Sequence, residues 1–206
     1  MTKNRIAIFA HFDKDNIIDD YVVYFLKALK SVSDKIIFVS ANDLSDFEIK
    51  KVDNICEKII SEKHDEYDFG SYKRGFLYLL ENNIEPDELI FANDSCFGPI
   101  FSFTEVFDKM NKEQCDFWGI SQNCFNMKRK YVPHIQSYFF VLKRQILEDS
   151  NFISFIKNIK PEKSKRDVVE KYEVGLSQML FKQNFIAKAY VNKYQQYGNS
   201  SIYAWR

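Results

Sequence analysis

The chain has 206 residues, enough for one domain with a sizeable core, and its 29 acidic residues balance 29 basic ones. That balance removes any general electrostatic case for nucleic acid, and an aromatic content of 17% with only 6 glycines excludes a disordered or collagen-like chain. Ile6–Ala10 reads as a first strand; its apolar run is too short for a secretory leader, and no segment approaches the ~20 apolar residues of a membrane span. Asn16–Lys30 carries Ile18, Val22, Phe25, Leu26 and Leu29 at helical spacing, and Lys35–Ser40 is a buried strand. Asn42 and Asp43 are suited to cap a short helix ending near Asn54, and Lys58–Ser61 reads as a third strand before a polar loop, Glu62–Tyr67. Asp68–Glu81 follows as a helix and Leu89–Ala92 as the next strand. Strand and helix alternate regularly through this half, the pattern of a doubly wound, mostly parallel sheet flanked by helices.

The second half is less regular. Ser102–Met110 reads as a helix, Asp116–Ile120 as a strand and Ser121–Pro133 as a polar loop, basic at Lys128, Arg129 and Lys130. Ile135–Leu142 follows as one strand, Arg144–Lys157 and Lys163–Phe181 as helices, and Phe185–Val191 as a last strand. Residues 1–191 are therefore expected to form the domain and 192–206 a polar, aromatic tail. Cys56, Cys96, Cys115 and Cys124 show no C-x-x-C spacing and read as free thiols of a reducing cytoplasm.

The most informative stretch is Leu89–Pro99. A buried strand stops at Asn93-Asp94-Ser95, and Gly98-Pro99 turns the chain away. Ligands of α/β sheets bind at the carboxyl ends of strands, and a carboxylate between two small polar side chains suits a hard cation and the phosphates it carries. The bland alternative is that Asp94 only caps a turn. Tyr67-Asp68-Phe69-Gly70-Ser71-Tyr72-Lys73 opens a helix, where free N–H groups favour anions; Asp68 is equally suited to be an N-cap. His134 and Gln136 enter a strand after Pro133, and a lone His there is more often structural than catalytic. Glu173 lies in a helical run, where a surface charge is the usual reading. Asp116 marks a strand boundary, and Trp118 is suited either to stack on a sugar or to fill the core.

In this order, Tyr67–Lys73, Phe91–Pro99, Cys115-Asp116-Phe117-Trp118-Gly119, His134–Phe139 and Tyr172-Glu173-Val174-Gly175-Leu176 resemble the rhamnan synthesis protein F family of bacterial polysaccharide glycosyltransferases. The resemblance runs from about Ile6 to about Phe185. It implies a GT-A-like, Rossmann-like fold and transfer of a sugar, typically a deoxyhexose such as rhamnose, from a nucleotide-diphosphate donor to a growing cell-surface polysaccharide or lipopolysaccharide with inversion. It sets Asn93-Asp94-Ser95 in the place of the Asp-x-Asp motif, with one carboxylate left, so that Asp94 is the expected contact for a divalent cation (Mg²⁺ or Mn²⁺). It makes Glu173 the expected general base with Asp116 in reserve. His11, Asp68, Gly70, Lys73, Asn93, Asp94 and Ser95 are then the expected donor contacts, and Trp118, His134 and Gln136 the sugar or acceptor pocket. The implied partners are the donor and a glycan or lipid-linked glycan acceptor. The implied location is the cytoplasm, including the inner face of the plasma membrane with peripheral contact. Two other readings stay open: a non-catalytic module that binds glycan or nucleotide sugar, and a nucleotidyltransferase. Against the second, His11-Phe12-Asp13-Lys14-Asp15 lacks the glycines of a phosphate loop. The transferase reading also requires Asp94 and Glu173 to face one hollow.

Overall fold

A computed structural model describes residues 3–126 and 128–191. The residue order produces an eight-stranded sheet, β3-β2-β1-β4-β7-β5-β6, with β8 paired to β5. Its parallel half comprises β1 (Arg5–His11), β2 (Lys35–Ser40), β3 (Lys58–Ser61) and β4 (Glu88–Asn93). Helices α1 (Asp20–Lys30), α2 (Asp46–Ile49) and α3 (Tyr67–Glu81) connect these strands. Alternation along β1 assigns the two faces. Ile6, Ile8 and Ala10 join the core under α3, with Phe69, Tyr72 and Phe76, while Ala7 and Phe9 join the core under α1, with Val22, Phe25 and Leu26. Both sets are almost wholly removed from water, so a one-residue slip of β1 would exchange them and is strongly disfavoured. The α/β, mostly parallel architecture expected from the sequence is present.

The second half departs from expectation in three places. The stretch 121–133 is no loop: β5 (Phe117–Phe125) runs through it and returns as β6 (Tyr131–Ile135) in a hairpin whose tip is organised by Asn126. Backbone N–H groups of Lys128 and Lys130 both donate to Asn126 Oδ1. Ile135–Leu142 is interrupted. β6 and β7 (Phe139–Lys143) are both antiparallel to β5, separated by Gln136–Tyr138, with Gln136 N–H still bonded to Ser121 O. The helix expected over Arg144–Lys157 is divided into α5 (Arg144–Leu147) and α6 (Ser150–Lys157), because Asp149 leaves the helical conformation to cap the N–H groups of Asn151 and Phe152.

Helix α4 (Phe103–Met110) buries Phe103, Val106, Phe107 and Met110 on the α1 face. On the α3 face, α7 (Lys165–Val168), a π-helical turn (Val169–Val174) and α8 (Gly175–Lys182) form one continuous run, and β8 (Ala187–Val191) closes the chain parallel to β5. The expected short helix after β2 is capped by Ser45 rather than by Asn42 or Asp43. Cys56, Cys96, Cys115 and Cys124 form no disulfide among the described residues, and Cys115 and Cys124 are buried. No helix among the described residues is long and apolar enough to cross a membrane. The proposed tail, 192–206, lies outside the described residues.

Candidate active site

Strand order reverses between β1 and β4: the chain proceeds from β1 outward to β2 and β3, then returns to place β4 on β1's other side. Such a reversal leaves a crevice between the carboxyl ends of the two strands, because their following segments leave in opposite directions. Asp94 sits at that point, immediately after β4, and the N–H of Phe12, immediately after β1, donates across the crevice to Asp94 Oδ2 at 2.8 Å. The β1–α1 connection is held by Asn42, which accepts from Asp13 N–H and donates to Asp13 O and Asn16 Oδ1.

A second carboxylate joins from α3. Asp68 does not cap that helix, whose first residue is Tyr67 at a φ of +55°, in the left-handed region that is costly for an aromatic residue. Instead Asp68 Oδ2 accepts from Asn93 Nδ2 at 2.7 Å, while Asn93 Oδ1 accepts from Ser95 N–H. Burial, together with the charges of Asp68 and Asp13, outweighs the Phe12 N–H bond and pushes the Asp94 carboxyl up to about 7. Burial also raises Asp68, with Glu173 adding to the effect and Asn93 and Lys165 opposing it. An acid pair at a strand end, short of positive charge, is a place where a cation or a proton is stabilised.

Glu173 comes from the π-helical turn on the α3 face, an arrangement found disproportionately at functional sites. Ser137, in the break between β6 and β7, gives Glu173 Oε2 both its N–H, at 2.8 Å, and its Oγ–H, at 2.6 Å. Buried His134 lies with Nε2 3.6 Å from Oε1, and its Nδ1 meets Val132 O at 2.8 Å, which fixes the ring. Burial opposes charge on both partners. It is outweighed in each, so that Glu173 is held below the usual carboxylate range and His134 above the usual imidazole range. The two shifts agree in direction: each partner favours the charged form of the other.

Tyr72 connects the two carboxylate sites. Its ring is fully buried, its hydroxyl donates to Ser137 O at 2.9 Å, and burial with the charges of Asp68, Asp94 and Glu173 raises its pKa well above normal. Tyr72 and Ser137 lie within the quoted sequence motifs, which assign neither a role. Asp68 and Tyr72 are four residues apart on one helix face, a spacing by which Tyr72 could have been found.

The remaining candidates divide. His11 lies under the crevice, 2% exposed, with Nδ1 3.0 Å from Ser40 Oγ, and burial lowers its pKa to about 4, so it is neutral and shielded from direct contact. Gln136 Oε1 accepts from Ser121 Oγ, which also meets the Tyr138 hydroxyl. Four candidates are placed differently from expectation. Asp116 precedes β5 and so lies at the opposite end of the sheet, where it accepts from Ile186 N–H and the Gln145 amide. Trp118 is 2% exposed and packs edge-on against Phe107 in the α1-side core, so it faces no pocket. Lys73 donates to Ile159 O at 2.6 Å and lies 3.7 Å from Glu66. Gly70 is required by packing: a Cβ there would fall 2.4 Å from Glu66 Cβ and 2.9 Å from the His64 ring.

Two cavities bear on the site. One of about 10 Å³, the lower limit for a single water, lies beneath Glu173, lined by Phe69, Ile135, Ser137 and Leu176; it does not include Asp94, and neither cavity is the single hollow expected to join the two carboxylates. The other, about 530 Å³, is an open hollow at the amino ends of the strands, beside Lys3, Arg5 and Asn111. Of its three cations, Lys3 and Arg5 already pair with buried Glu88 and Lys30 donates to Asp34 O, so the larger volume is not the better candidate. No cluster of three or more His, Cys, Asp or Glu arranged to hold a metal ion occurs among the described residues.

The model of the family described as rhamnan synthesis protein F matches residues 36–204, spanning β2 to beyond β8. The chain belongs to the rhamnan synthesis protein F family. Two curated relatives are each 29% identical: uncharacterized protein y4gN of Sinorhizobium fredii, over 82% of this chain and 41% of its own length, and virulence protein VirA of Vibrio anguillarum, over 84% and 55%. The chain thus spans about half the length of these relatives. Among solved structures, a 4-diphosphocytidyl-2C-methyl-D-erythritol synthase from Anaerococcus prevotii is similar at a TM-score of 0.54 and 14% identity, covering 92% of this chain and 89% of that one. A cytidylyltransferase from Leptospira borgpetersenii gives 0.53 and 13%, covering 94% and 77%. At such identities the likeness establishes a shared α/β fold and nothing further.

Proposed function

We propose that the protein is a glycosyltransferase that moves a sugar from a nucleotide-diphosphate donor to the hydroxyl of a glycan acceptor, and that the β1/β4 crevice holds the donor. The observation that carries this reading is Asp94 at the reversal point, bridged by Phe12 N–H and raised to about 7. We extend this reading to a cell-surface polysaccharide as product, rhamnose or another deoxyhexose as the transferred sugar and inversion at its anomeric carbon; membership of a rhamnan synthesis family supports that extension.

On this reading Asp94, with Asn93, Asp68 and Ser95 around it, receives the diphosphate end of the donor. Its oxygen chemistry fits Mg²⁺ or Mn²⁺, with Asp94 as the protein ligand and donor phosphates completing the shell. A bound ion would supply neutralisation of the leaving diphosphate. Glu173 is the general base. The acceptor oxygen forms a bond to the anomeric carbon, its proton passes to Glu173, and the C–O bond to phosphate breaks with its electron pair leaving on the diphosphate. Ser137 and His134 hold Glu173 in place and keep it ionised, at the expense of some basicity. His134 and Gln136 border the acceptor side. One observation favours a different division of labour: Asp94, near 7, is better matched as a base at neutral pH than Glu173.

Donor turnover by Asp94→Ala and Glu173→Gln proteins tests the assignment. Both are expected to lose on the order of 10²–10⁴ in rate, as removal of a general base or of electrostatic stabilisation does. Near-native rates in both would refute it. Binding of sugar nucleotide with no turnover in the unaltered protein would establish instead a non-catalytic binding module. A cytidylyl transfer is disfavoured because the β1–α1 loop, which would wrap a triphosphate, contains no glycine.

A further inference from the structure

Gln136, Ser137 and Tyr138 leave the regular strands between β6 and β7, so their backbone polar groups need partners from elsewhere. Those partners come from separate elements. Gln136 N–H donates to Ser121 O of β5 at 3.1 Å, and Asn93 N–H, at the end of β4, donates to Tyr138 O at 3.1 Å. Ser137 N–H and Oγ–H both go to Glu173 Oε2 of the π-helical turn. The Ser137 carbonyl is met from α3, by the Tyr72 hydroxyl at 2.9 Å. One short segment therefore touches both Glu173 and Asn93, whose side chain in turn holds Asp68.

Packing alone does not call for a hydroxyl at position 72. The ring lies edge-on to Phe69, Phe91 and Phe140, with centroids 5.7, 5.1 and 5.8 Å away, and phenylalanine would fill the same space. A hydroxyl in so buried a cluster costs free energy unless it is bonded, and the Ser137 carbonyl is its hydrogen-bond partner among the described residues. Burial also keeps the phenol protonated, and so a donor, far above neutral pH. The hydroxyl is thus committed to one backbone carbonyl, that of the residue whose N–H and Oγ–H grip Glu173.

We propose that Tyr72 is a positioning residue: its hydroxyl fixes the Ser137 carbonyl and thereby aims the Ser137 N–H and Oγ–H at Glu173. The direction of that carbonyl sets the planar peptide unit after Ser137, so the residue is pinned at both ends, from α3 on one side and from the π-helical turn on the other. Asn93 N–H on Tyr138 O anchors the same segment to the strand end that carries Asp94. Tyr72 meets no reacting group in this scheme and acts only through Ser137. The expected effect on rate rests on the transferase reading; the effect on Glu173 itself does not.

Tyr72→Phe tests it, read by a carboxyl-carbon NMR titration of Glu173 and by donor turnover. Misaligned donors stabilise the carboxylate less, so the Glu173 pKa should rise. Ser137→Ala, which deletes one donor outright, should also raise it, and the double variant should raise it by less than the two shifts added, because both changes act on one residue. In Tyr72→Phe, kcat should fall by on the order of 10–100-fold with the donor KM unchanged, as for a catalytic group slightly out of place. Phe76→Leu, a change in the same core, is the comparator: it should lower the melting temperature without moving the Glu173 titration. His134 of β6, Asp68 of α3 and Glu170 of the π-helical turn, the titrating groups around Glu173 and its histidine, are unaltered in every variant. In the native protein the Tyr72 hydroxyl proton should give a slowly exchanging resonance with cross-peaks to Ser137, a measurement that needs no variant. Absence of that resonance, a Glu173 titration unmoved in folded Tyr72→Phe, or one moved as far by Phe76→Leu would overturn the positioning role. A moved titration with unchanged turnover would uphold that role and remove Glu173 as the base, so the two readings fail separately.

Discussion

Asp94 and Glu173 are carboxylates at the same end of one sheet, and their surroundings drive them in opposite directions. Asp94 is offered two backbone N–H groups, of Phe12 and of its own residue, but no cation, and faces the charges of Asp68 and Asp13; burial and those charges push it up to about 7. Glu173 is offered an N–H, a hydroxyl and the His134 ring, and is held below the usual carboxylate range. The donors and charges facing each carboxylate decide the outcome, since both are largely withdrawn from water. A carboxylate left short of positive charge is poised for a charged ligand, whereas one already satisfied is a fixed anion. The crevice at β1/β4 therefore has the character of a binding site, and the Glu173 shelf that of a preorganised carboxylate held in place for the acceptor.

The comparison breaks first at catalysis. Asp94→Asn keeps the shape but removes the charge, and donor turnover should fall by on the order of 10²-fold or more, as for loss of one electrostatic stabiliser. An unchanged rate would detach Asp94 from the chemistry. Next comes stability. Glu173→Ala strands a buried imidazole and two Ser137 donors, at about 3 kcal/mol, which for a chain of this size lowers the melting temperature by roughly 6–12 °C. Glu173→Gln, which can still accept from Ser137, should lower it by less.

The pH dependence sharpens the contrast. Glu173 lies below its unfolded value near 4.5, so its contribution is full above that pH and lost as pH falls through the lower folded value. His134 lies above 6.5, so its contribution is full below that pH and lost as pH rises through the higher folded value. Asp94 is raised from 3.8 to about 7, so the folded state holds an extra proton. Its effect on stability is most favourable below pH 3.8, erodes between there and about 7, and is fully lost above. Asp94→Asn should therefore be more stable than the native protein at pH 8, by on the order of 2 kcal/mol, with little difference at pH 4; denaturant melts at the two pH values measure this. A destabilised Asp94→Asn at pH 8 would mean that the carboxylate is better satisfied than its surroundings imply. The smallest effect is a control: Trp118→Phe should cost about 1–2 kcal/mol of stability through lost core packing and leave donor binding unaltered.

Much of the first half was legible because parallel strands are buried on both faces and give unbroken apolar runs, as in Ile36–Val39 and Leu89–Ala92. Asp94 was legible for the same reason: a polar triplet ending such a run marks a carboxyl end. The second half was harder. β5 beyond Ile120 is half-exposed and polar, so Ser121–Asn123 carries no apolar signature although it pairs with β6 or β8. The break at Gln136–Tyr138 is made by tertiary partners, Tyr72 on Ser137 O and Asn93 N–H on Tyr138 O, which no local pattern announces. Asp116 misled for a directional reason. A carboxylate beside a strand is informative only at the carboxyl end, and Asp116 stands at the start of β5. Trp118 looked equally at home in a pocket or a core, and neighbours distant in sequence, Phe107 and Phe139, decided for the core.

The location of a bound donor tests the central claim most directly. A crystal structure of the protein with a non-hydrolysable nucleotide-diphosphate sugar and Mn²⁺ should place the diphosphate at Asp94, between the ends of β1 and β4, with the sugar directed toward Glu173. Donor density at the amino-end hollow beside Lys3 and Arg5, or a diphosphate remote from Asp94, would contradict it.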